Sequence, residues 1–204
     1  MAELKQTVFI IDDDEAVRDS LRMLLRSVGL PVTCFESAQT FLDEINLNTP
    51  GCLVLDIRMP GLSGMELAQR MRDQDSLMPI IFITGHGDVP MAVEAMKMGA
   101  LDFLQKPFRD QDLLDRIQQA LQYDADRREQ LTEREQIRQR MNTLTPRERQ
   151  VLDMILEGKA NKVIAIDLDL SQRTVEIHRA RVMEKMQARS LATLVQMVMR
   201  ARSK

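Results

Sequence analysis

Short apolar runs that end abruptly at a polar residue constrain this chain more than any other feature. Val8-Phe9-Ile10-Ile11 halts at Asp12-Asp13-Asp14, Leu53-Val54-Leu55 at Asp56, and Ile80-Ile81-Phe82-Ile83 at Thr84. A fourth run, Ala100-Leu101-Asp102-Phe103-Leu104, ends just ahead of Lys106-Pro107, and a weaker one, Val32-Thr33-Cys34-Phe35, follows Gly29. Unbroken runs of this length suit strands buried on both faces, as in a parallel sheet. Helical spacing fills the intervals. Val17, Leu21, Leu24, Leu25 and Val28 form one stripe, Met65, Leu67, Ala68 and Met71 a second. Val93, Ala95, Met96 and Met98 form a third, between Pro90 and Gly99, and Leu113, Leu114, Ile117 and Leu121 a fourth. Strand–helix alternation of this kind implies a doubly wound α/β sheet.

In an open parallel sheet, ligands bind outside the carboxyl ends of the strands. Asp12–Asp14, Asp56, Thr84 and Lys106 should therefore converge on one site. Clustered carboxylates repel each other unless a cation sits among them. Hard oxygen donors suit Mg2+, which takes one or two carboxylates and phosphate oxygens and keeps several waters. Such a site supports attack by a carboxylate on a phosphoryl group, with Thr84 and Lys106 holding the phosphoryl oxygens. A single Asp in this place would do no more than favour the N-terminus of the next helix. Four strand ends carrying Asp, Asp, Thr and Lys point to a site.

The rest of the chain differs in charge and pattern. Residues 1–120 carry 11 Lys/Arg against 19 Asp/Glu, residues 121–143 carry 5 of each, and residues 144–204 carry 12 against 7. An acidic part joined to a basic part predicts two domains with different partners, the basic one suited to nucleic acid. Residues 122–143, densely charged and free of Gly and Pro, read as a solvated helical linker with a thin seam of Leu131, Ile137 and Met141. Thr145-Pro146-Arg147-Glu148 is an N-cap, a helix-starting Pro and a capping-box Glu. Helices are expected over 146–157, 161–168, 172–186 and 190–202, which makes a small all-α tetrahelical domain. No apolar run is long enough to span a membrane. Two cysteines, Cys34 and Cys52, give no disulfide framework; both are expected as buried free thiols in a cytoplasmic protein.

With these motifs in hand, residues 1–121 resemble the receiver domain of two-component response regulators, a flavodoxin-like fold. The resemblance is carried by Ile10-Ile11-Asp12-Asp13-Asp14, Leu55-Asp56-Ile57-Arg58-Met59-Pro60-Gly61, Thr84-Gly85-His86-Gly87-Asp88-Val89-Pro90 and Lys106-Pro107-Phe108. It implies that Asp56 becomes phosphorylated. It further implies that Asp13, Asp56 and the Arg58 backbone carbonyl bind Mg2+, with Asp12 acting mainly through a coordinated water, that Thr84 and Lys106 contact the phosphoryl group, and that Phe103 is an aromatic switch. Lys106-Pro107 would be a cis peptide, and Asp14 peripheral. His86 reads as a loop residue near the site rather than a phosphohistidine or metal ligand.

Residues 140–202 resemble the LuxR-type helix-turn-helix domain through Leu144-Thr145-Pro146-Arg147-Glu148, Gly158, Asn161-Lys162, Ile164-Ala165, Ser171 and Arg173-Thr174-Val175-Glu176-Ile177-His178. Ile164, Ala165, Leu168, Leu170, Val175 and Val182 form the expected core. Lys162, Arg173, Thr174, Arg179, Arg181 and Lys185 read as phosphate contacts, which give affinity rather than sequence choice. Ile177 and Ala180 could meet thymine methyl groups and Glu176 could accept from cytosine N4. The stripe Leu191, Leu194, Val195, Val198 closes the core or, as the family implies, forms a dimer surface.

The domains are thus expected at 1–121 (receiver), 122–143 (linker) and 144–204 (DNA-binding), an arrangement similar to the FixJ-type subfamily. The expectation is a phosphorylation-dependent transcription regulator, not a turnover enzyme. It would take its phosphoryl group from a sensor histidine kinase, bind double-stranded promoter DNA as a homodimer and engage RNA polymerase, with no membrane partner. An aspartate-nucleophile phosphatase of the haloacid-dehalogenase type fits less well, because Ala16 follows Asp12-Asp13-Asp14-Glu15 where that pattern needs Thr or Val.

Overall fold

The computed structural model describes residues 6–85 and 89–202; His86 lies outside them. The chain divides into two compact units, Met1–Arg128 and Glu129–Lys204.

The first unit alternates strand and helix: β1 (Thr7–Ile11), α1 (Glu15–Ser27), β2 (Val32–Phe35), α2 (Ala38–Glu44), β3 (Gly51–Asp56), α3 (Gly64–Asp73), β4 (Ile80–Thr84), α4 (Val89–Lys97) and β5 (Asp102–Gln105), followed by α5 (Asp110–Asn142). All strands pair in parallel, in the order β2-β1-β3-β4-β5. The order reverses between β1 and β3, the place where a doubly wound sheet opens a crevice.

The apolar runs are continuous because both faces are covered. Phe9, Ile11, Leu53, Leu55 and Phe82 pack with Phe41, Leu67 and Met71 from α2 and α3. Val8, Ile10, Cys52, Val54, Ile81 and Ile83 pack with Leu21, Leu25, Leu113 and Ile117 from α1 and α5. Each such side chain removed from water contributes about 1.5–3 kcal/mol. Sequence pattern missed α2, which buries only Ala38 and Phe41 and offers too short a stripe to read. Ser37 caps it, accepting from Thr40 N.

The second unit contains α6 (Pro146–Leu156), α7 (Asn161–Leu168), α8 (Gln172–Met186) and α9 (Leu191–Arg202), each within a residue of expectation. The capping box is present in full: the Thr145 hydroxyl accepts from Glu148 N, and the Glu148 carboxylate accepts from Thr145 N. The expected core is buried, with Leu170 packed at its margin. Leu194 and Val198 of the α9 stripe are buried in this core, while Leu191 and Met199 remain exposed.

The expected linker departs from a solvated rod. Asp124 is wholly buried in the first unit, whereas Ile137 and Leu144 belong to the core of the second. The receiver unit thus extends past 121, and the tail of α5 adds a fifth helical segment to the tetrahelical domain. A charged sequence hides these contacts because two buried positions in 22, Asp124 and Ile137, leave composition almost unchanged. Cys52 is buried as expected, but Cys34, on edge strand β2, is only half-buried.

Candidate phosphoacceptor site and nucleic-acid face

Asp12 follows β1 and Asp56 ends β3, so the two carboxylates flank the reversal point of the sheet. Both are buried, at 1% and 5% exposure. The Lys106 ammonium reaches between them, donating to Asp12 Oδ2 at 2.6 Å and Asp56 Oδ1 at 2.9 Å. Backbone amides hold the remaining oxygens: Asp14 N donates to Asp12 Oδ1 (3.0 Å) and Arg58 N to Asp56 Oδ2 (2.8 Å). Lys106 is itself fixed through its backbone N–H, which donates to the Thr84 carbonyl at 2.7 Å. Thr84 is fully buried at the end of β4. The Lys106-Pro107 bond is cis, as the resemblance implied.

Local sequence explains the close packing. Ser63 and Glu66 form a capping box that starts α3, and Gly64 lies so near the end of β3 that a Cβ there would stand 2.2 Å from the Asp56 carbonyl oxygen. Asp14 is the N-cap of α1, accepting from Ala16 N at 2.9 Å, which accounts for its peripheral place. Arg18 was not anticipated. Its Nη1 donates to the Asp12 and Asp13 carbonyls at 2.8 and 2.9 Å, so one turn of α1 braces the acidic loop.

Electrostatics in the crevice are unbalanced. Two buried carboxylates share one ammonium, which leaves an excess of negative charge. Burial pushes the Asp56 carboxyl above the ordinary carboxylate range; the bond from Lys106 opposes this, and the charge on Asp12 adds to it. Burial works against the Lys106 ammonium, but its bonds to Asp12 and Asp56 together hold its pKa above the ordinary value.

The expected metal ligands are not all gathered in the crevice. Asp13 is exposed, and among the described residues no three acidic, His or Cys side chains gather as a ready metal cluster. Lys106 compensates Asp12 and Asp56 directly, so nothing draws the Asp13 carboxylate inward. Phe103, half-buried on β5, packs against the cluster that includes Ala95 of α4, beside its register partner Phe82 on β4.

In the second unit, α7 and α8 are joined through Asp169, which takes a left-handed conformation, and Ser171, which caps α8 by accepting from Thr174 N at 3.1 Å. Val175, Val182 and Met186 turn inward. Arg173, Glu176, Ile177, Ala180 and Arg181 are exposed on the outer side, as is Lys162 on α7; Thr174 and Arg179 are half-buried. Ile177, 46% exposed, is an apolar residue on an otherwise polar face. His178 is half-buried, its Nδ1 buried without a hydrogen-bond partner among the described residues.

Lys185 is placed differently from the other expected phosphate contacts. Its Nζ donates to the buried Glu148 carboxylate at 2.6 Å and to the Thr143 carbonyl at 3.1 Å. The ammonium is engaged inside its own domain, which sets it apart from the free phosphate contact the sequence suggested. The partner lies 37 residues away, beyond the reach of helical spacing.

Residues 8–118 match the response regulator receiver domain family, and residues 142–198 match the luxR family of bacterial regulatory proteins. The transcriptional regulatory protein FixJ of Bradyrhizobium diazoefficiens is 50% identical over 197 residues, covering 97% of this chain and 96% of that protein. The response regulator protein TodT of Pseudomonas putida is 42% identical over 200 residues, covering 98% of this chain and 88% of that protein. The structure of the response regulator StyR superposes with a TM-score of 0.87 at 49% identity, covering 96% of this chain and 98% of that one.

Proposed function

The chain belongs to the FixJ-like response regulators, which join a receiver domain to a LuxR-type DNA-binding domain, and from that premise we propose that Asp56 is the phosphoacceptor controlling its binding to DNA. A phosphorylation-regulated transcription regulator is the role this domain pairing supports. The single observation that carries the residue assignment is the convergence of Asp12 and Asp56 on the Lys106 ammonium at the reversal point of the sheet.

In the proposed step, an Asp56 carboxylate oxygen attacks the phosphorus of a phosphohistidine on a sensor kinase. A phosphorus–oxygen bond forms, the phosphorus–nitrogen bond breaks, and the imidazole leaves with a proton. Lys106, already within reach of Asp56 Oδ1, is placed to follow the charge as it moves onto phosphoryl oxygens. Thr84, at the end of the neighbouring strand, supplies a hydroxyl for the same group. The chain acts as an acceptor, not a turnover catalyst.

The donors fit a divalent cation in kind. Asp12 and Asp56 already share one cation and retain surplus negative charge, and both are hard oxygen ligands. They would hold Mg2+ with Asp13 and the Arg58 carbonyl, and the bound ion would neutralise charge on the transferring phosphoryl oxygens.

Downstream, the exposed face of α8 enters the major groove of promoter DNA. Lys162, Arg173, Thr174, Arg179 and Arg181 contact phosphates, and Glu176, Ile177 and Ala180 meet base edges. Exposed Val93 and Met96 on α4, with Leu191 and Met199 on α9, are apolar surface available for homodimer pairing. RNA polymerase is the proposed further partner. Among the described residues no helix is long and apolar enough to cross a membrane.

The test is uptake of one phosphate from acetyl phosphate, read by intact mass, with DNA affinity measured before and after. Wild type should gain one phosphate and bind DNA more tightly. Asp56→Asn should gain none; uptake by that variant at wild-type stoichiometry refutes the assignment.

A further inference from the structure

A buried ionic clamp lies where the sequence predicts solvated linker. Asp124 of α5 is wholly buried. Its Oδ2 accepts from the backbone N–H of Gly51 at 2.9 Å and from Gln6 Nε2 at 3.2 Å, and its Oδ1 accepts from Arg128 Nε at 2.7 Å. One turn on, Arg128 uses its other nitrogens on the loop before β3, Nη1 donating to the Asn48 carbonyl (2.7 Å) and Nη2 to the Thr49 carbonyl (3.1 Å). Gln6 also donates to the Leu121 carbonyl of α5 at 2.7 Å.

The arrangement is specific in ways an apolar contact is not. A buried carboxylate persists only when its oxygens are bonded, and these bonds are directional and short. Hydrophobic packing alone would let a helix slide or roll on the sheet; the fork of Arg128 on two carbonyls does not. Gly51 is part of the fit. Its φ is +148°, and a Cβ there would lie 1.9 Å from the Thr7 carbonyl oxygen, so only glycine brings this N–H to Asp124. The neighbouring Cys52 thiol is kept protonated, its pKa pushed up by burial and then by the Asp124 charge. The strand held at its first residue, Gly51, is β3, whose last residue is Asp56. The first compact unit ends at Arg128, the last residue of the clamp.

We propose that the Asp124–Arg128 clamp is a positioning device for output: it fixes the register in which α5 leaves the receiver sheet, and phosphorylation of Asp56 alters DNA affinity only while the clamp holds. The inference rests on the phosphoacceptor reading above. The clamp holds β3 at Gly51, the opposite end of the strand from Asp56, and both residues belong to α5 rather than the DNA-facing helix. Their loss should uncouple the two activities rather than abolish either.

The experiment uses the full chain as wild type, Arg128→Gln, Arg128→Lys and Asp124→Asn. Phosphate uptake from acetyl phosphate is read by intact mass. Affinity, with and without phosphate, is measured for a duplex selected from a random library by the phosphorylated wild type. In Arg128→Gln and Asp124→Asn, uptake should stay at wild-type stoichiometry while the phosphate-dependent gain in affinity shrinks by about fivefold or more, an ordinary coupling factor. Arg128→Lys keeps a cation for Asp124 but loses the fork, and should fall between. An undiminished gain in both Arg128→Gln and Asp124→Asn overturns the proposal. So does a parallel loss of uptake and gain in both, which makes the clamp merely structural. A wild type that takes up phosphate without any change in affinity instead sinks the phosphoacceptor reading, and the clamp with it.

Discussion

Two lysines each grip a buried carboxylate, and the contrast between them separates a reactive site from a structural joint. In the first unit, Lys106 is divided between Asp12 and Asp56. In the second, Lys185 is pledged to Glu148, whose Oε2 also accepts from Thr145 N at 2.9 Å. The outcomes are opposite. The bond from Lys185 and then the Thr145 amide outweigh burial and hold Glu148 below the ordinary glutamate range. Burial outweighs the bond from Lys106 and holds Asp56 above the ordinary aspartate range. A carboxylate with a cation to itself is locked in place. One that must share its cation stays energetically exposed, ready to gain from a metal ion or from transfer of charge onto a phosphoryl group. Burial alone does not mark function; the ratio of donors to buried charges does.

The largest effect should come from removing the reactive charge. Asp56→Asn eliminates phosphate uptake, yet it should raise the melting temperature at neutral pH, because an ionised Asp56 is disfavoured in the fold. The sign follows from the raised pKa: Asp56 contributes most to stability when protonated and loses that contribution as pH rises through its folded pKa. The melting-temperature gap between variant and wild type should therefore close on acidification, and a gap that widens would contradict this account.

Next in size is the structural joint. Lys185→Met leaves Glu148 buried without its cation and should cost about 1–3 kcal/mol in urea unfolding of the second unit, a breakage softened by the partial exposure of the lysine. The same variant should leave the salt dependence of DNA binding unchanged, whereas Arg173→Ala or Arg181→Ala should reduce the log–log salt slope by about 0.9. A matching fall in slope for Lys185→Met would return this residue to the DNA contacts.

Acid should then distinguish the two units. The pKa of Glu148 is lowered by folding, so its contribution is full above the unfolded glutamate value and fades as pH falls through the folded one. Unfolding of the second unit, followed by hydrogen exchange at α6 and α8 amides, should become easier over that range, and Glu148→Gln should flatten the dependence. Smallest is the cap itself. Thr145→Ala removes one side-chain bond to Glu148 N and should cost about 1 kcal/mol, measured by thermal melting.

Much of this was legible in sequence because it is local. Strand runs, the Thr145–Glu148 capping box, the Ser171 cap and the inward positions of α8 follow from periods of two and 3.6 residues and from hydrogen bonds within four residues. The receiver pocket was legible for a related reason: in a parallel sheet every strand delivers its last residue to the same edge, so Asp12, Asp56, Thr84 and Lys106 could be placed together before any coordinate was known. Asp13 was not, since its neighbour Asp12 gains the lysine and nothing in the order of residues says which of two adjacent carboxylates turns inward. Helix α2 escaped because seven residues offer little periodicity.

The sequence by itself determined the elements, their alternation and the edge on which chemistry could occur, since backbone hydrogen bonding and hydrophobic periodicity act over a few residues. Tertiary structure alone decided which charges are partnered. Lys185 looks like any basic residue until Glu148 is brought to it, and Asp124 like any linker carboxylate until Gly51 and Arg128 close around it. Pairing of buried charges depends on distances across the fold, and because desolvation makes an unpaired charge so costly, those distances fix the character of each group more firmly than its identity does.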